Sequence, residues 1–199
     1  MSAHETPSYL DLSKMMDHSL LNPTLTMDLL ERGIRLALAY DTGSVCIMPF
    51  ALKHCAELLR GSTVKLSTTI GFPHGGHTTT IKVAEARQAI ADGCQELDMV
   101  VNISEVLTSG WVYVEADIHG VVQVAHDAGQ KVKIIFENCY LNNDQKNSNL
   151  RNLQHGWRGL GEDVNWLWDV GFHRRRSCSD ANSRPPRCAG KGRRRNSRP

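Results

Sequence analysis

The sequence predicts an α/β protein built on a parallel sheet. Short runs rich in β-branched residues alternate with longer segments of helical period, which is the pattern of βα units. The longer segments open on capping residues and close on glycine, as at Thr26 and Gly61. No G-x-G-x-x-G follows any of the short runs, so a dinucleotide-binding version of the architecture is disfavoured.

A helical turn at Tyr9–Met16 leads into DHSLLNP, where Asn22-Pro23 signals a turn. Thr26 is placed to cap MDLLERGIRLALAY, whose Leu29, Leu30, Ile34, Ala37 and Leu38 form one apolar face. GSVCIMP reads as a buried strand closed by a proline, FALKHCAELLRG as a helix ending at Gly61, and VKLSTTIGFPHGG as a strand running into a Gly/Pro loop. TTTIKVAEARQAIADG repeats the helical pattern, with a threonine cap and a closing Gly93. QELDMVVN is a fourth strand, WVYVEADIHGVVQVAHDAG a further helix and KVKIIFENC a fifth strand. Five such units suit either a doubly wound sheet or the first five units of a (β/α)8 barrel.

At 199 residues, 41% of them hydrophobic, the chain is long enough for one sizeable core, so a single folded domain is expected. No stretch reaches the roughly 18 apolar residues of a membrane span. The opening MSAHETPSYLDLSKMMDHS lacks the basic and apolar regions of a secretory signal, so a cytosolic address is the default. Six cysteines, Cys46, Cys55, Cys94, Cys139, Cys178 and Cys188, form no C-x-x-C pair and read as reduced thiols rather than a zinc site or a disulfide framework. The net charge of +2 conceals a split. Residues 1–146 carry 11 Lys/Arg against 17 Asp/Glu, a net of −6, whereas residues 147–199 carry 12 against 4, a net of +8 that is nearly all arginine.

In a parallel α/β architecture the reacting groups gather at the carboxyl ends of the strands. Asp17 and Asn22 bracket the first strand, Cys46 lies in the second, GFPHGG follows the third, Asp98 and Asn102 mark the fourth, and Lys133 and Glu137 the fifth. Asp98, inside ELDMVV, must be paired or have its pKa raised, which suits either proton transfer or a salt bridge to a lysine such as Lys133. Lys133 could be an amine nucleophile, but the pattern favours a charge partner. His74 and His77 lack a third ligand at a set spacing, so they read as loop surface rather than a metal site. Cys46 reads as a core residue with access to the site.

The ordered series MMDHSLLNPT, SVCIMP, IGFPHG, TTTIKVAEARQAIADG, ELDMVVNI and KIIFENCYL resembles deoxyribose-phosphate aldolase, a class I aldolase family of (β/α)8 TIM-barrel fold, over about residues 9–146. The resemblance implies reversible cleavage of 2-deoxy-D-ribose 5-phosphate into D-glyceraldehyde 3-phosphate and acetaldehyde, without metal or cofactor. It implies a small phosphorylated sugar as substrate, with a homo-oligomer as a further expectation. It makes Asp98 part of a proton relay, with Asp17, Cys46 and Lys133 lining the site. It also implies a Schiff-base lysine in a K-T/A-S-T-G motif on the sixth strand, and a second lysine before a glycine-rich phosphate loop.

Neither of those lysine motifs is present in this chain. GEDVNWLWDVG stands near the place of the sixth strand. If the codons after Lys146 are read one nucleotide further on, KNSNLRNLQHGWRGLGEDVNWLWDVG can encode KIRICEICNMVGADWVKTSTGYGTS. The Trp codons force the two glycines of TGYG, and Glu162-Asp163 permits only lysine or arginine; the remaining residues depend on synonymous codons. The same phase lets GKGRRRNSRP encode VKAGGGIRDL. The expectation is therefore five βα units over 1–146, followed over 147–199 by an out-of-frame, largely irregular basic tail. A chain so built has no nucleophile and should be inactive, poorly stable and prone to aggregation. The rival reading is a nucleic-acid-binding protein that uses the arginine runs; a third is a protomer that docks on an intact aldolase.

Overall fold

A computed structural model of the chain describes residues 6–148 and the strand Val164–Asn165. The elements run α1 (Tyr9–Lys14), β1 (Asp17–Leu20), α2 (Met27–Tyr40), β2 (Ser44–Ile47), α3 (Leu52–Leu58), β3 (Lys65–Ile70), α4 (Thr79–Ala91), β4 (Glu96–Val100), α5 (Ile103–Leu107), α6 (Trp111–Asp127), β5 (Lys131–Ile135) and β6 (Val164–Asn165). The strands pair in parallel and in chain order, β1 to β6, with no reversal. A doubly wound sheet reverses its order at a switch point, so this winding is the first arc of a (β/α)8 barrel.

Period-two alternation divides the strands into two faces. Val45, Ile47, Leu66, Ile70, Leu97, Met99, Val132 and Ile134 point one way and form a single core with Leu30, Ile34 and Ala37 of α2, Leu52 and Cys55 of α3, Ala86 and Ala89 of α4, and Ile118, Val121, Val122 and Ala125 of α6. Asp17, Ser44, Cys46, Ser67, Thr69, Glu96, Asp98 and Lys133 lie at the intervening positions, so the face that a closed barrel would turn inward is polar and charged.

Several local expectations are met and a few are corrected. Thr26 caps α2 by accepting from Leu29 N, and Asn22 Oδ1 accepts from Thr24 N at 3.0 Å to make the predicted turn. Leu29, assigned to the apolar face of α2, is instead exposed, because it leads the stripe by one position from Leu30. Thr78 stands at the N-cap of α4 without a side-chain bond to the backbone. The helix expected to end at Gly61 ends at Leu58, after a 3-10 turn at Pro49–Ala51. Beyond the five expected strands, β6 runs beside β5 with Val132 opposite Val164 and Lys133 opposite Asn165. Apart from that strand and residues 147–148, which continue a helical stretch over 143–148, the expectation of an irregular tail lies outside the described residues.

Candidate active site

Four of the residues singled out from sequence meet on the polar face. Lys133 Nζ donates to Asp17 Oδ2 at 2.9 Å, lies 2.9 Å from Glu96 Oε2, and stands 3.4 Å from Asp98 Oδ1. The Ser44 hydroxyl donates to Asp17 Oδ1 at 2.5 Å, and the Ser67 hydroxyl reaches Asp98 Oδ2 at 3.4 Å. Asp98 and Lys133 face each other directly across β4 and β5, and Asp17 comes from the far edge of the sheet, which only the curl of the strands can bring near.

Burial and charge compete here. Desolvation pushes the Asp98 carboxyl up to about 6, against the pull of Lys133 and with the repulsion of Asp17 added. Burial alone would lower the Lys133 ammonium, but the attraction of Asp98, Glu96 and Asp17 outweighs it and holds the amine above its ordinary value. The Cys46 thiol, buried beside Asp98, is pushed well above a free thiol first by burial and then by the neighbouring carboxylate. The arrangement offers a carboxyl that changes charge near neutrality beside a lysine locked as a cation, and no thiolate.

The other residues placed at strand ends serve elsewhere. Asn102 caps α5, its Oδ1 accepting from Glu105 N at 3.2 Å. Glu137 adopts a left-handed φ of 52° and accepts from the Cys139 thiol at 3.2 Å. His74 is exposed and stands edge-on to Tyr140 with ring centroids 6.4 Å apart; among the described residues no group of three or more His, Cys, Asp or Glu is arranged to hold a metal. Gly75 is required by contact: with φ at 65°, a Cβ there would stand 1.8 Å from the Val101 carbonyl oxygen. Cys46, Cys55 and Cys94 are free thiols, burial raising Cys55 to about 11 and Cys94 to about 12. Cys178, Cys188 and the arginine runs lie outside the described residues.

Glu96 was not anticipated. Two residues before Asp98 on the same strand, it shares a face with it, and period-two reading of ELDMVV would have found it. A second buried ion pair, Lys82 Nζ to Asp117 Oδ2 at 2.5 Å, joins α4 to α6 behind the sheet and was equally unforeseen.

No family model matches the chain. It is 64% identical over 138 residues, 69% of its own length and 57% of the relative's, to a deoxyribose-phosphate aldolase of Rhodopirellula baltica. Over 139 residues it is 41% identical to the deoxyribose-phosphate aldolase of Thermococcus gammatolerans, covering 62% of that protein. Over this stretch the chain is similar to deoxyribose-phosphate aldolases. Among solved structures, the tetrameric deoxyribose phosphate aldolase of Aeropyrum pernix matches with a TM-score of 0.67 at 29% identity, covering 79% of this chain and 64% of that one. The chain thus spans about three fifths of the aldolases it matches.

Proposed function

We propose that residues 1–146 are the first five βα units of an enzyme that reversibly cleaves 2-deoxy-D-ribose 5-phosphate into D-glyceraldehyde 3-phosphate and acetaldehyde through a lysine Schiff base, and that this chain, as its sequence stands, does not turn over. The observation that carries the reading is Asp98, a buried carboxyl raised to about 6 on the inner face of the arc, where a proton must move to and from a carbon atom. Asp17, Cys46 and Lys133 line the same site. Lys133 does not replace the missing nucleophile, because an amine held as an ammonium by three carboxylates has no lone pair to attack a carbonyl. The tail over 147–199 is read as out of frame. In support, the codons of Glu162-Asp163 permit only lysine or arginine in the shifted phase, and the two Trp codons that follow force glycines. A homo-oligomer suits the complete enzyme, given the Aeropyrum pernix tetramer, and a reducing cytosol suits the free buried thiols.

The test is direct. Purified chain incubated with 2-deoxyribose 5-phosphate is expected to release no glyceraldehyde 3-phosphate, and borohydride in the presence of acetaldehyde is expected to leave its mass unchanged. Turnover or a trapped adduct would overturn the inactive reading. Salt-sensitive binding of RNA or DNA that disappears on deleting 173–199 would favour the nucleic-acid reading instead.

A further inference from the structure

Lys133 leans away from the carboxylate it is registered against. Asp98 is its partner across β4 and β5, and Glu96 pairs with Lys131 one step earlier, yet Lys133 Nζ lies 2.9 Å from Glu96 Oε2 and 3.4 Å from Asp98 Oδ1. An ammonium has three N–H donors. One goes to Asp17 Oδ2, itself fixed by the Ser44 hydroxyl, and Glu96 holds the head of the side chain toward the start of the strands. Asp98 Oδ1 is in consequence buried without a hydrogen-bond partner among the described residues, while Oδ2 faces the Ser67 hydroxyl. A buried acceptor left so is costly, and such cost is kept where the group has work to do.

We propose that Glu96 is a positioning residue: it holds Lys133 off Asp98 Oδ1 and so leaves that oxygen free to take up and release a proton. The assignment rests on the reading of Asp98 as the proton-transfer group. The groups that face Asp98 are Asp17 from β1, Cys46 from β2, the Ser67 hydroxyl from β3, Lys133 from β5 and Glu96 on its own strand. Burial keeps Cys46 protonated, and Asp17 opposes the charged form of Asp98. Lys133 is the cation of the set, so the place of its ammonium decides how readily Asp98 ionises. Without Glu96 the ammonium moves from 3.4 Å to hydrogen-bonding distance of Oδ1, tightens the ion pair and ties the carboxylate down.

The experiment is a pH titration of the full chain labelled with 13C at aspartate Cγ, the Asp98 resonance being identified by its loss in Asp98→Asn. In the parent the midpoint is expected near 6. In Glu96→Gln it is expected to fall by about one unit or more, the usual effect of a cation closing on a carboxylate. An unchanged midpoint in folded Glu96→Gln overturns the proposal. So does a fall of equal size when Glu96→Gln is made in Lys133→Met, since Glu96 would then act by its own charge and not through the lysine. Should Glu96→Gln fail to fold, Glu96→Asp, one methylene shorter, is expected to move the midpoint the same way by less, and no movement there counts against the proposal. Aldolase turnover would sink the inactive reading without touching this titration. A midpoint indifferent to Glu96 would sink the positioning role and leave the family reading standing.

Discussion

Asp98 sets a pH window of its own. Its folded pKa, raised by burial to about 6, lies above the ordinary carboxylate value, so the native state holds the proton more tightly than the unfolded chain does. The resulting stabilisation is complete below the unfolded value near pH 4 and is lost as pH rises through 6; a shift of about two units is worth about 3 kcal/mol. Lys133, held above its ordinary value by carboxylates, contributes in another window: its share is present once those carboxylates are charged and fades as pH rises above the usual lysine range. Asp98→Asn removes the penalised charge while Lys133 keeps Asp17 and Glu96. In urea unfolding the variant is therefore expected to match the parent near pH 4 and exceed it by about 1–3 kcal/mol at pH 7.5. A gap that does not widen with pH would mean that this carboxylate is not desolvated. Asp98 was legible because a lone acid between Leu97 and Met99 is conspicuous. Glu96, at the strand's first position, went unread although it shares a face with Asp98 at period two, and its distance to Lys133 shows its part in the cluster.

The α4–α6 pair is held by an ion pair that neither helix advertises. Lys82 and Asp117 are fully buried; Lys82 Nζ donates to Asp117 Oδ2 and to the Val100 carbonyl at 3.0 Å, and the Thr79 hydroxyl donates to Asp117 Oδ1 at 2.9 Å. Through Glu85, which accepts the Gly71 N–H at 2.8 Å, the same helix also holds the end of β3. One helix thus fixes the carboxyl ends of two adjacent strands, where the site lies. Lys82→Met should strand Asp117 in an apolar setting and cost about 3–5 kcal/mol, whereas Lys82→Met with Asp117→Leu should cost less than the single change. Urea denaturation of the two variants checks this, and a double variant as damaged as the single would show that packing, not charge, sets the cost. The main elements were readable because each couples a β-branched run to a capped segment of helical period. The five-residue α5 escaped notice, being too short to show a period, and Lys82 was hidden because its place in the stripe with Ala86 and Ala89 appears only once the face is known.

The sheet begins at β1, which among the described residues is paired on one side alone, by β2. An edge of that kind, beside an inner face that carries charge, leaves the arc open to association. At micromolar concentration the purified chain is expected to scatter light and elute as a broad, concentration-dependent peak; a sharp monomer would count against an unclosed barrel. The fold was legible over 1–146 because patterning there obeys burial. Beyond Lys146 the sequence offers no run of β-branched residues coupled to a capped helical segment, which is the ground for the proposed change of reading frame. Genomic DNA and transcript read across the codons for Asp144–Asn149 are expected to show one extra base in an A-rich stretch. A gene corrected by that base is expected to give a protein that borohydride traps with acetaldehyde.

The apolar side of the sheet is covered by helices that lie close to their strands in sequence: α3 and α4 against β3, α6 against β4 and β5. Contacts of that range close small loops and form quickly. On the ribosome this layer can therefore assemble as each unit emerges, before any later strand has been made. On the proposed reading, a slip of phase at codon 147 would arrive after the local work of folding is done, and the nascent chain would already be dressed in native helices, so that housekeeping proteases would meet a nearly finished object rather than an extended polymer.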